Sequence, residues 1–194
     1  MASMFNGCNF LLSLDVSNFD TSSVIYMDTM FYCPSLTSLD VSNFKTSNVI
    51  SMQSVFAGCV SLTSIDVSNF DTSKVTIMAA MFAICSSLVS LDVSNFDTSN
   101  VMIMSSMFSS CESLTSIDLS KFNTGKLRAI ANLFNNCKKL SYIDISTFHN
   151  ALGYDSKIFE KINDSGEIII SKNISSKINN IFEDLNMSWT ITEI

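Results

Sequence analysis

A unit of 26 residues recurs along most of this chain, so whatever fold it adopts must give each copy the same shape and equivalent neighbours. LDVSNFDTSSVIYMDTMF begins at Leu14, LDVSNFKTSNVISMQSVF at Leu39, IDVSNFDTSKVTIMAAMF at Ile65 and LDVSNFDTSNVMIMSSMF at Leu91. A worn copy, IDLSKFNTGKLRAIANLF, starts at Ile117, and a last one opens as IDISTFHN at Ile143 before the pattern fades. The first copy lacks one residue between Phe31 and Cys33, and residues 2–13 match the second half of a copy.

Aligned copies define apolar columns. Leu14, Leu39, Ile65, Leu91, Ile117 and Ile143 form one, and two residues on come Val16, Val41, Val67, Val93, Leu119 and Ile145. Alternation about a polar residue predicts a strand. Val75, Met78, Met81 and Phe82, with their equivalents, are spaced three, three and one, which predicts a short helical or 3-10 turn capped by the preceding Thr72-Ser73. No copy buries its apolar side alone, so neighbours must stack. The expected fold is an α/β solenoid over residues 1–148, with a parallel sheet on one face and short helical or 3-10 turns on the other.

The string F-x-x-C-x-x-L-x-x-L/I-x-V, as in Phe82, Cys85, Leu88, Leu91 and Val93, resembles the BspA-like leucine-rich repeat, a 26-residue bacterial surface-protein repeat. The likeness runs over about residues 2–148. It implies a leucine-rich-repeat solenoid at the cell surface or secreted, with a role in adhesion and a protein or extracellular-matrix ligand as partner. Where the standard repeat carries asparagine this chain has Phe96 and its equivalents, so no asparagine ladder is expected at that place.

Residues 149–194 do not repeat and are expected to form a small α+β cap. Glu167–Ile170 and Ser188–Ile191 read as strands, and Ile174, Ile178, Ile181 and Leu185 share a helical face. At the other end Met4, Phe5, Cys8, Leu11 and Leu14 are expected to face water, which makes that edge a candidate for self-association.

Composition narrows the function. A net charge of −7 disfavours a phosphate backbone as partner, so no nucleic acid is expected. Apolar runs are too short for membrane insertion. With one histidine and no phosphate loop, HExxH or GxSxG, no catalytic residues and no cofactor are assigned, and the chain reads as a non-enzyme. The six cysteines fall in one column, Cys8 to Cys137, and read as buried thiols with neither disulfide nor metal role.

One surface column stands out. Asp15, Asp40, Asp66, Asp92, Asp118 and Asp144 lie between the two apolar strand columns and are expected to point outward, flanked by Ser64, Ser68, Ser90, Ser94 and their equivalents. This Asp/Ser face is either a solvated ladder or a docking stripe for basic protein segments, amines or cations. The site candidates are Asp40, Asp66, Asp92, Asp118 and Asp144 with those four serines. The alternative function is a structural spacer or self-assembly element using the N-terminal edge. Charge is also uneven: residues 1–120 hold ten acids against two lysines, while 121–194 hold eight acids against nine bases.

Overall fold

The computed structural model describes residues 1–149 and 156–194. Residues 150–155, near the start of the predicted capping segment, lie outside the described residues. Strands β1 (Ser116–Asp118), β2 (Tyr142–Ile145), β3 (Ser165–Ile170) and β4 (Ser188–Glu193) form one parallel sheet in the order β1-β2-β3-β4. Ile117 pairs with Ile143, Ile143 with Ile168, and Ile168 with Ile191, so the apolar column of the repeats continues into the non-repeating segment. Helix α1 (Ser175–Asp184) joins β3 to β4 and buries Ile178, Ile181 and Phe182. Both late strands and this helix lie where alternation and helical spacing predict them. Among the described residues, no helix is long and apolar enough to cross a membrane.

The expected strands at Leu14, Leu39, Ile65 and Leu91 do not form a regular ladder. In these copies the ordered pairing runs along the opposite side, through single parallel bridges Tyr26↔Ser51, Ser51↔Ile77, Ile77↔Ile103 and Ile103↔Ala129. That side was expected to be helical or 3-10, and it is neither. The backbone explains why. Thr29, Ser54, Ala80, Ser106 and Asn132 all have positive φ, between 53° and 59°, which breaks a right-handed helical progression after one turn. Alternate N–H groups are thereby turned toward the next copy: Met52, Ser54, Phe56 and Gly58 donate to the carbonyls of Ile77, Ala79, Met81 and Ala83 at 2.8–3.0 Å. Val55, Ala57 and Cys59 donate three residues back instead. Each copy thus closes half its donors locally and hands the other half to its neighbour.

The predicted Thr-Ser cap has no helix to cap. Thr21, Thr46, Thr72 and Thr98 are buried, and each hydroxyl donates to a carbonyl of the following copy: Lys45, Asp71, Asp97 and Asn123, at 2.9–3.1 Å. A ladder of asparagines does occur, one position before the phenylalanine. Asn43, Asn69 and Asn95 each donate Nδ2 to three carbonyls of the preceding copy; for Asn69 these are Val41, Ser42 and Phe44 at 3.0–3.2 Å.

The core is a file of phenylalanine rings. Phe31, Phe56, Phe82, Phe108, Phe134 and Phe159 lie with successive centroids 5.5–6.1 Å apart and near-parallel planes. The file ends edge-on against Phe182, which in turn meets Trp189. Met27, Met52, Met78 and Met104 are buried beside it, as expected of core methionines. The short first copy is accommodated locally: the Tyr32 ring occupies the space that a side chain at Gly58 would need, and Gly58 itself has φ of +75°.

Cysteine thiols are free, and they are structural donors. Cys59, Cys85, Cys111 and Cys137 are buried, with Sγ donating to the carbonyls of Phe31, Phe56, Phe82 and Phe108 at 2.6–3.1 Å. Burial pushes the thiols up, to about 11 for Cys59 and about 12 for Cys33 and Cys137. Native alkylation at pH 8 is therefore expected to label Cys8, which is half-buried, and to reach the other five only at the rate of unfolding. Mass spectrometry of peptides after timed iodoacetamide treatment measures this; rapid labelling of Cys85 would contradict it.

Candidate functional site

The aspartate column owes its first role to local geometry. In every copy Oδ1 accepts the backbone N–H of the serine two residues on, from Ser17 to Asp15, Ser42 to Asp40, Ser68 to Asp66, Ser94 to Asp92, Ser120 to Asp118 and Ser146 to Asp144, at 2.8–2.9 Å. This Asx turn bends the chain away from the Leu-Asp-Val segment, and aspartate is favoured there because its short side chain reaches that N–H. The second column turns in the same way, with Asp20, Asp71 and Asp97 accepting from Ser22, Ser73 and Ser99 at 2.9–3.0 Å and Asn123 from Gly125. The column is thus a turn position, as its variation suggests.

Asp40, Asp66, Asp92 and Asp118 are exposed, together with Ser64, Ser68, Ser90 and Ser94. Hydrogen bonds from the serine hydroxyl and amide hold the Asp15, Asp40 and Asp66 carboxyls below the usual carboxylate range, and the Ser94 amide and hydroxyl do the same for Asp92. Lys121 adds a smaller pull on Asp92. Asp144 departs from the expected surface column: it is buried, because β3 pairs alongside β2 and sets Ile169 opposite it. The exposed stripe therefore runs through four of the five site aspartates, from Asp40 to Asp118.

A folded carboxyl pKa below the unfolded value contributes stability that is fully present above the unfolded pKa and is lost as pH falls through the folded pKa. Stability should accordingly decline below about pH 4, the unfolded aspartate range. The Asp40/Asp66/Asp92→Asn variant should lose less on acidification than the parent, since asparagine Oδ1 still accepts the serine N–H and does not titrate. Urea midpoints between pH 6 and pH 3 check the prediction; equal slopes in both proteins would contradict it.

The bases that make residues 121–194 richer in positive charge are spread out. Lys126 donates to Asn100, and Lys138 pairs with Glu112 at 2.8 Å, so these two hold the preceding copy. Lys121 replaces the ladder asparagine and borders an open cleft of about 480 Å³ with Phe122, Asn123, Leu127, Thr147 and His149. His149, the last member of the second column, is exposed, with Nδ1 3.0 Å from Ser171 Oγ. At the N-terminal edge, Met4 is exposed as predicted, but Phe5, Cys8, Leu11 and Leu14 are only partly so, because they pack against the core. Phe5 stacks at 5.7 Å on Phe31.

One surface escapes the sequence reading. Ile25, Tyr26, Ile50, Ile77, Met102 and Ile103 line the outside of the bridged side. The signal lies in the two variable positions between the valine and methionine columns, which hold apolar residues in several copies. A helical reading of Val-x-x-Met hides them; the bridged backbone leaves them at least partly exposed except at Ser51, which is buried.

No curated protein and no solved structure matches the chain. A family model described as "Mycoplasma protein of unknown function, DUF285" matches residues 1–91 and again residues 59–163. These two matches follow the repeats from the first partial copy past the last, and the chain belongs to the DUF285 family.

Proposed function

We propose that this chain is a non-enzymatic protein-binding module of a bacterial surface or secreted protein, built as a BspA-like leucine-rich-repeat solenoid and serving adhesion. The observation that carries the reading is the run of exposed carboxylates at Asp40, Asp66, Asp92 and Asp118, the first three held below the usual carboxylate range by their serine partners. Each is fixed by its own turn and flanked by exposed serines, so the stripe is ordered before any ligand arrives, which lowers the entropic cost of binding. Its chemistry suits lysine- or arginine-bearing segments of a protein or matrix ligand.

The test is a binding screen against extracellular-matrix and host-surface proteins with the Asp66/Asp92/Asp118→Asn variant alongside. The expected hit weakens with salt and is lost in the variant, while circular dichroism shows both proteins folded. A hit that the variant retains would move the contact elsewhere on the surface.

A second reading, a spacer or self-assembly element working through the N-terminal edge, is favoured by one observation. Near that edge Phe10 and Leu12 are 94% and 68% exposed. Leu12→Asp would abolish edge-mediated association and leave ligand binding intact.

A further inference from the structure

We infer that the apolar stripe on the bridged side is a contact between two copies of this chain, packed antiparallel about a two-fold axis through the Thr76–Ile77 copy. Hydrogen bonds from Ile50 to Ile25, Thr76 to Ile50, Met102 to Thr76 and Arg128 to Met102 hold the stripe in register across five copies. Along it run Ile25 and Tyr26, Ile50 and Ser51, Thr76 and Ile77, Met102 and Ile103, then Arg128 and Ala129. Ile25, Tyr26 and Ile103 are 48%, 51% and 36% exposed, although the same two positions tolerate Thr76, Arg128 and Ala129 elsewhere. Exposed side chains of this kind on an otherwise Ser-, Thr- and Asp-rich surface mark an interaction face.

Charge selects the partner and its direction. Asp28, half-buried and with Oδ1 accepting the Ser51 hydroxyl and the Gln53 N–H, lies two residues beyond Tyr26 at the N-terminal end of the stripe and keeps its second oxygen for a partner, and Arg128 is the exposed C-terminal member with no acceptor for its guanidinium among the described residues. A parallel pair sets Arg128 on Arg128 and Asp28 on Asp28. An antiparallel pair sets Arg128 of one copy over Tyr26 and Asp28 of the other, joining an ion pair to a cation–π contact. Ile50 then faces Met102 and Ile103. A stripe only two residues wide falls short of the roughly 800 Å² per partner of a stable complex, so the dimer is weak and concentration-dependent.

Sedimentation velocity from roughly 10 μM to roughly 1 mM reads the association over the range such a contact spans. The parent should shift from monomer toward dimer. Ile103→Glu and Arg128→Glu should each weaken association about tenfold or more. Both side chains are exposed, so melting should stay as in the parent; Ile25→Glu serves as a second probe should Ile103→Glu destabilise. A photo-crosslinking residue at position 26 should capture residues near Arg128 of the second copy. Strict monomers throughout the range, association indifferent to both substitutions, or crosslinks returning to residues near 26 would overturn the inference.

Discussion

Phe82→Ala is expected to destabilise the chain by about 4 kcal/mol, the range for truncating a fully buried aromatic ring. The ring sits between Phe56 at 5.5 Å and Phe108 at 6.1 Å, so its loss opens a cavity and breaks two stacked pairs. Each repeat meets only its neighbours, and a defect in the middle copy weakens both interfaces at once. The urea transition should therefore move to lower midpoint and broaden as the two halves uncouple. Phe10→Ala, at a ring that is almost wholly exposed, should leave the midpoint where it was. A sharp, unshifted transition for Phe82→Ala would mean that the ring file does not hold the repeats together.

The second large effect is expected from an isosteric change on the surface of the stack. Asn69 Nδ2 donates to the carbonyls of Val41, Ser42 and Phe44. Asn69→Asp removes both donors and sets a carboxylate against three carbonyl oxygens. The expected cost at pH 7 is about 3 kcal/mol, from the lost bonds and the unfavourable charge. The carbonyl dipoles favour the protonated acid, so the introduced carboxyl should have a raised pKa and the penalty should shrink as pH falls toward 4. Urea midpoints for parent and variant at pH 7 and pH 4 measure this. A variant as stable as the parent at pH 7 would show that the asparagine ladder contributes nothing.

These two residues illustrate which parts of the fold were legible in the sequence. The phenylalanine file was visible because a repeat must put the same residue in the same place, and an apolar column then has nowhere to go but the core. The late strands and helix α1 were visible from plain alternation and helical spacing. The Asn43, Asn69 and Asn95 ladder was not, because it sits one position from where the standard repeat carries it. The bridged side was misread as helical because spacing of three fits either geometry. What decides between them is positive φ at residues such as Ser54 and Ala80, which are not glycine and so carry no signal.

The candidate site was legible in its chemistry and less so in its extent. Outward aspartates follow from strand alternation, yet the Asx turn that orders each one depends on the serine two residues on. Asp144 repeats the pattern and is nonetheless buried, because β3 follows without repeating. Sequence periodicity predicts a column; only the neighbouring strand decides where the column stops being surface. The Ile25 to Ile103 stripe was hidden by the same helical misreading that obscured the bridges.

The proposed role rests on the Asp/Ser face receiving a cationic partner. The most direct measurement is a titration of the isotope-labelled chain with a lysine-rich peptide, followed by amide NMR shifts. The N–H groups of Ser42, Ser68, Ser94 and Ser120 donate to the stripe carboxylates and report on them directly. Saturable, salt-sensitive shifts at these four amides, absent in the Asp40/Asp66/Asp92/Asp118→Asn variant, are the predicted result. Shifts confined to other surfaces, or none at these amides, would contradict the acidic face as the site of recognition.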